Sequence, residues 1–155
     1  MGGDYAPTEM VRGAVQAARQ DGVELLLVGD PGAVEEELAG HDVTNLPIHQ
    51  VPSNGVIREG EHPVMALRQT PMASVVVAAG LVKEGRADAF VSLGSTGAAM
   101  ASAVLALGLL PGLERPTIGG PFLGLAPKTC VIDLGSSVDC RSGQLLSFAV
   151  IGSVF

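Results

Sequence analysis

The chain has 155 residues, of which 47% are hydrophobic and 16% charged. That is enough apolar material for the core of one domain, and it argues against a disordered segment. Aromatic residues make up 3%, Trp is absent and the net charge is -7, so neither base stacking nor bulk charge favours nucleic acid as a partner.

The charge is uneven. Up to His62 there are 11 acids and 3 bases; the remainder has 5 acids and 6 bases. An anionic ligand therefore needs a site that makes its own positive potential, from helix N-termini or rows of backbone N–H groups.

Taken in chain order, the pattern alternates between helix and strand. Met10, Val11, Ala14, Val15 and Ala18 recur at helical spacing, with Pro7 near the start and Gly22 at the end. Val23 to Val28, closed by Gly29, is predicted to be a buried strand. Asp30-Pro31 opens a second helix, with Asp30 as the cap. Leu46 to Val51 is a weaker strand candidate, and Ser53 to Glu61 a polar loop. Helices are predicted over Pro63 to Arg68 and Ser74 to Glu84, the second ended by Gly85. Ala89 to Ser92 is predicted as a strand, Thr96 to Leu107 as a helix, Cys130 to Leu134 as a buried strand, and Gln144 to Phe155 as a last helix.

Apolar strands alternating with helices predict a mostly parallel sheet covered on both faces, within one α/β domain over residues 1–155. Ligands in such folds gather at the carboxyl ends of the strands. Two such ends stand out. In Ser92-Leu93-Gly94-Ser95-Thr96-Gly97-Ala98 a predicted strand runs through two glycines and two hydroxyls into a helix. Phosphate fits there, though Ser95 or Thr96 serving only as a helix cap explains the hydroxyl equally well. In Asp133 to Cys140, Asp133 and Asp139 flank Gly135-Ser136-Ser137. A carboxylate there can orient a substrate, or simply hold a turn by bonding to backbone N–H groups. Gly2-Gly3-Asp4 is a third candidate ligand loop ahead of a helix.

His41, His49 and His62 lack zinc-site spacing. No Walker sequence, G-x-G-x-x-G or Gly-x-Ser-x-Gly elbow is present. Cys130 and Cys140 read as free thiols, because the opening residues do not form a secretory signal. The longest apolar run, Ala98 to Leu110, is shorter than the roughly 20 residues needed to cross a bilayer. A cytoplasmic location is the expectation.

The same segments resemble the bacterial phosphate acyltransferase family, which acts on acyl-acyl carrier protein. Met1-Gly2-Gly3-Asp4-Tyr5-Ala6-Pro7 is similar to its opening loop, and Pro63-Val64-Met65-Ala66-Leu67-Arg68 to a Pro-x-x-Ala-x-Arg helix. Leu81 to Ser92 resembles the family's most recognisable run. Gly94-Ser95-Thr96-Gly97-Ala98, Arg115-Pro116, Asp133-Leu134-Gly135 with Asp139-Cys140, and Phe148 to Val154 follow in the family's order. Ser95 and Ser137 stand where the family usually has Asn, and Gln69-Thr70-Pro71 replaces its usual basic residues.

The resemblance implies a three-layer α/β/α sandwich of the isocitrate/isopropylmalate dehydrogenase and phosphotransacetylase kind, of which this chain is the N-terminal part. It implies transfer of a fatty acyl group from acyl carrier protein to inorganic phosphate, for phospholipid synthesis. It also implies a cytoplasmic homodimer that touches the membrane through a C-terminal half, with no metal or organic cofactor and no nucleic acid. Gly2, Gly3, Gly94, Ser95, Thr96, Gly97, Gly135, Ser136 and Ser137 are then the candidate phosphate and substrate contacts, and Asp4, Asp133 and Asp139 the candidate catalytic groups. Two other readings are a phosphotransacetylase-type enzyme using coenzyme A, and a non-catalytic fragment that binds phosphate or dimerises.

Overall fold

The computed structural model describes every residue except Leu123, Leu125, Ser136 and Phe155. It divides into two compact units, Met1–Leu107 and Gly108–Phe155.

In the first unit, helix α1 (Thr8–Asp21) places Val11, Val15 and Ala18 on one buried stripe. It ends at Gly22, whose φ of 63° is the left-handed conformation that glycine adopts without a Cβ penalty. Strand β1 (Leu25–Gly29) leads into α2 (Pro31–Ala39). Asp30 caps α2 as expected, its carboxylate accepting from Ala33 N–H at 2.9 Å, with Pro31 at the first helical position. Strand β2 (Ile48–Pro52) pairs with β1 in parallel register, Leu25 opposite Ile48 through Gly29 opposite Pro52. The ladder runs on through Ser53 N–H, which donates to Gly29 C=O at 2.8 Å.

Val11, Val15, Val34 and Leu38 form one core cluster, with Leu27 and Ile48 packed against it. Burying each such side chain contributes about 1.5–3 kcal/mol before chain entropy is counted.

A second cluster holds the other three helices of this unit together. These are α3 (Pro63–Gln69), α4 (Ser74–Lys83) and α5 (Thr96–Leu107). Ile57, Ala66, Leu67, Ala73 and Ala98 are buried at its centre. Three of the five are alanines, which lets the helices approach closely, and Ile57 pins the polar loop after β2 onto them.

The expected strand at Ala89–Ser92 does not form: the segment from Ala89 to Leu93 is irregular, and Val91 is 87% exposed. A β conformation is held by a hydrogen-bonded neighbour, and neither described sheet contains this segment.

The second unit contains β3 (Gly119–Phe122), β4 (Ala126–Ile132) and α6 (Ser142–Gly152). β3 and β4 pair antiparallel, with an irregularity between Pro121 and Phe122. This corrects the mostly parallel expectation: the described residues hold one parallel and one antiparallel pair. β4 is not buried as expected, since Pro127, Lys128 and Thr129 are exposed and Val131 and Ile132 only half-buried. A two-stranded hairpin has one other strand and one helix to cover it, too little to enclose both faces. Helix α6 begins two residues before the predicted Gln144 and ends at Gly152, and Phe155 lies outside the described residues. The observed architecture is mixed α/β.

No single helix among the described residues is long and apolar enough to cross a membrane.

Candidate active site

In the first unit the structure brings two of the predicted loops together. Gly2 and Gly94 are in backbone contact: a Cβ on Gly2 would lie 2.8 Å from Gly94 Cα, and one on Gly94 would lie 3.0 Å from Gly2 Cα. Gly3 continues the contact at a φ of +113°, where a Cβ would come 3.2 Å from Leu93 C=O. Side chains at these positions would push the loops apart. Asp4 follows in an exposed turn.

On its other side the same loop meets α3. A Cβ on Gly97 would lie 2.9 Å from Pro63 Cγ. The Gly94–Gly97 segment is thus held between the Gly2–Gly3 backbone and the Pro63 ring.

The two hydroxyls of this loop have different surroundings. Ser95 is buried, and its Oγ accepts from Ala98 N–H at 3.3 Å while its C=O accepts from Ala99 N–H at 3.0 Å. It is therefore the N-cap of α5. Thr96, at the first helical position, is exposed. Ser92 Oγ accepts from Gly94 N–H at 3.4 Å and braces the loop from within. What remains is a helix start with Thr96 exposed, beside glycine backbone that is packed against Gly2 and Pro63. That arrangement suits an oxyanion.

In the second unit, Asp133 ends β4 with a φ of 67°, left-handed backbone that Asp tolerates better than most residues. Its C=O accepts from Gly135 N–H at 2.9 Å, and its carboxylate accepts from the Cys140 thiol at 3.5 Å. Gly135 is also left-handed, at 76°. Ser137 Oγ is buried with no hydrogen-bond partner among the described residues, a costly state that a ligand or water would relieve. Ser136 lies outside the described residues.

Asp139 is exposed and lines a cleft of about 490 Å³ with Glu114, Arg115, Cys140, Arg141 and Gln144. Of these, Arg141 and Gln144 carry no signal in the sequence, because neither stands in a recognisable pattern. Arg115 is visible only through its Arg-Pro resemblance.

A smaller depression of about 310 Å³ lies on α1, lined by Arg12, Val15, Gln16, Arg19, Gln20 and His41. Its cations are already engaged: Arg12 pairs with Glu9 at 3.2 Å, and Arg19 donates to Asp42 C=O at 2.8 Å. None of the predicted site residues lines it. Among the described residues no three His, Cys, Asp or Glu side chains are grouped to hold a metal ion. Cys130 and Cys140 are free thiols.

The sequence matches the model of a family described as fatty acid synthesis protein over residues 1–155. A phosphate acyltransferase from Thermosynechococcus vestitus is 48% identical over 157 aligned positions, covering all of this chain and 45% of that protein. One from Nostoc sp. is 47% identical, with all of this chain and 46% of that protein covered. One from Desulforamulus reducens is 46% identical, again with 46% of that protein covered. The chain spans about half the length of these curated relatives. With the match extending from the first residue to the last, the chain belongs to the fatty acid synthesis protein family.

Proposed function

We propose that this chain is the phosphate-holding part of an acyltransferase that moves a fatty acyl group from acyl carrier protein to inorganic phosphate. The observation that carries the proposal is the Gly94–Gly97 loop at the start of α5, stripped of side chains where it meets Gly2 and presenting Thr96 to solvent. The relatives, named phosphate acyltransferases, support phosphate as acceptor and an acyl group as cargo.

The reaction asks little of acid catalysis. An oxygen of hydrogen phosphate attacks the thioester carbonyl carbon, the C–S bond breaks, and the proton carried by phosphate ends on the departing sulfur. The products are acyl phosphate and a free thiol. A thiolate leaves readily, so the protein's work is to hold the phosphate dianion against the carbonyl and to stabilise the developing oxyanion. In this reading the N–H groups at the start of α5 and the Thr96 hydroxyl hold phosphate. Asp4 closes over that loop.

The finer fold, a three-layer α/β/α sandwich, belongs to this proposal, as do a homodimer, a cytoplasmic location and a peripheral membrane contact. A non-catalytic phosphate-binding module is the second reading, since the same loop can hold an anion without any acyl transfer.

The test is a chimera in which this chain replaces the matching segment of the Thermosynechococcus vestitus relative. It is assayed for acyl phosphate with palmitoyl-acyl carrier protein or palmitoyl-coenzyme A as donor. Turnover with the carrier protein donor, and a sharply raised phosphate requirement in Thr96→Val, are expected. Preference for the coenzyme A donor would make it a phosphotransacetylase-type enzyme. A folded but inactive chimera would favour the binding-module reading, and a Thr96→Val variant with unchanged phosphate dependence would remove the loop from its role.

A further inference from the structure

Burying a hydroxyl without a hydrogen bond is costly, so a fold that keeps one invites a reason. Two serines of the first unit are in this state. Ser53 is 5% exposed and Ser102 3%, and neither Oγ has a partner among the described residues. They differ in what lies beside them.

Ser53 immediately follows β2, and its N–H donates to Gly29 C=O at the end of β1. It therefore stands at the carboxyl ends of the parallel pair, the end at which such sheets hold ligands. The two glycine loops come to the same end. A Cβ on Gly29 would lie 3.0 Å from Met1 Sδ, and Met1 leads directly into Gly2, which packs on Gly94.

The chain after Ser53 is held against the start of α4. Asn54 N–H donates to Met72 C=O at 2.8 Å, and Gly55 C=O accepts from Ser74 N–H at 3.3 Å. Ser74 opens α4, and no side chain caps that helix. Ile57, two residues beyond Gly55, shares one buried cluster with Ala73, which precedes α4, and with Ala98, in the first turn of α5. Two helix starts thus meet at this segment, and each carries partial positive charge. Ser102 has no such surroundings. It lies in the second turn of α5, roughly 9 Å along the axis from Thr96.

We propose that Ser53 is a ligand-holding residue of the phosphate site, its hydroxyl donating to an oxygen of a phosphate bound at the starts of α4 and α5. A hydroxyl suits this task because it adds a donor without adding charge. It is kept at some expense to the fold, as groups that serve a ligand often are. The choice of phosphate rests on the acyl-transfer reading.

The experiment titrates the 155-residue chain with inorganic phosphate, followed by phosphorus NMR, and measures thermal unfolding without phosphate. Ser53→Ala is expected to weaken phosphate binding by about tenfold or more, the worth of a hydrogen bond to a charged group. The same variant should unfold at the parent's temperature or a few degrees above it, because an unpaired buried group is gone. Ser102→Ala removes an equally buried and unpaired hydroxyl away from the helix starts, and should leave phosphate affinity unchanged. The proposal is overturned if the chain does not bind phosphate, or if Ser53→Ala leaves the affinity unchanged. It is equally overturned if Ser53→Ala unfolds at a lower temperature, which would make the hydroxyl a support of the fold, or if Ser102→Ala weakens phosphate as much.

The outcome is separable from that of the acyl-transfer assay. A chimera that makes acyl phosphate beside a chain indifferent to Ser53→Ala would remove Ser53 from the site and leave the reaction standing. An inactive chimera beside a Ser53-dependent titration would do the reverse.

Discussion

Gly2 and Gly94 touch backbone to backbone, so close that a methyl group on either would come within 3.0 Å of the other's Cα. This contact joins the start of the chain to the loop before α5, and it is possible because neither residue carries a side chain. Gly94→Ala should therefore destabilise the protein by about 1–3 kcal/mol, the usual cost of overpacking, and weaken phosphate binding with it. Urea denaturation and phosphorus NMR titration measure the two effects. Gly13, inside α1, has nothing within 4 Å of its would-be Cβ, so Gly13→Ala should stabilise by about 0.5–1 kcal/mol. Equal stability of the two variants would show that the contact carries no weight.

Ser95 is expected to matter through its cap. Ser95→Ala removes the acceptor of the Ala98 N–H and should cost about 1 kcal/mol. Ser95→Asn restores a capping oxygen and should recover most of that loss. Thermal unfolding of the three proteins compares them, and an Asn variant no better than the Ala variant would contradict the capping role.

Gly97 and Pro63 should behave as a coupled pair. Gly97→Ala brings a Cβ to 2.9 Å from Pro63 Cγ and should destabilise. In a Pro63→Ala background the ring is gone, and the same change should become milder or favourable through alanine's helix preference. A double-mutant cycle reads the coupling, expected at about 0.5–3 kcal/mol as for residues in contact. Strict additivity would mean that the ring does not brace the loop.

Asp42 gives a prediction in pH. Hydrogen bonds from Thr44, side chain first and then backbone, together with the nearby Arg19 charge, hold its carboxyl below the ordinary value of 3.8. A depressed folded value means that the unfolded chain binds the proton more readily. The stabilisation is therefore present above the unfolded value and is lost as pH falls through the folded one. Asp42→Asn should lower stability near neutral pH, and its difference from the parent should shrink below about pH 4 and vanish in stronger acid. A difference independent of pH would refute the assignment.

The sequence by itself determined where the helices lie and several of their ends, though not the start of α6. Asp30-Pro31 starts α2, Gly22 closes α1, and Thr96 and Leu107 bound α5 as predicted. These features are legible because capping and helical periodicity act within about one turn of the chain. It also marked the glycines of both loops as candidate contacts, but not that Gly2 would meet Gly94. The tertiary structure decided the pairings. Ala89–Ser92 has strand-like composition, yet the segment is irregular and Val91 is exposed. Gly119–Phe122, a Gly-Gly-Pro-Phe run with poor strand propensity, becomes a strand against β4. Arg115 and Arg141 likewise line one cleft although they lie far apart in the chain and no local pattern links them. Strand pairing and loop contact depend on partners distant in sequence, and a strand's fate is set by the neighbour that satisfies its N–H and C=O groups rather than by its own composition.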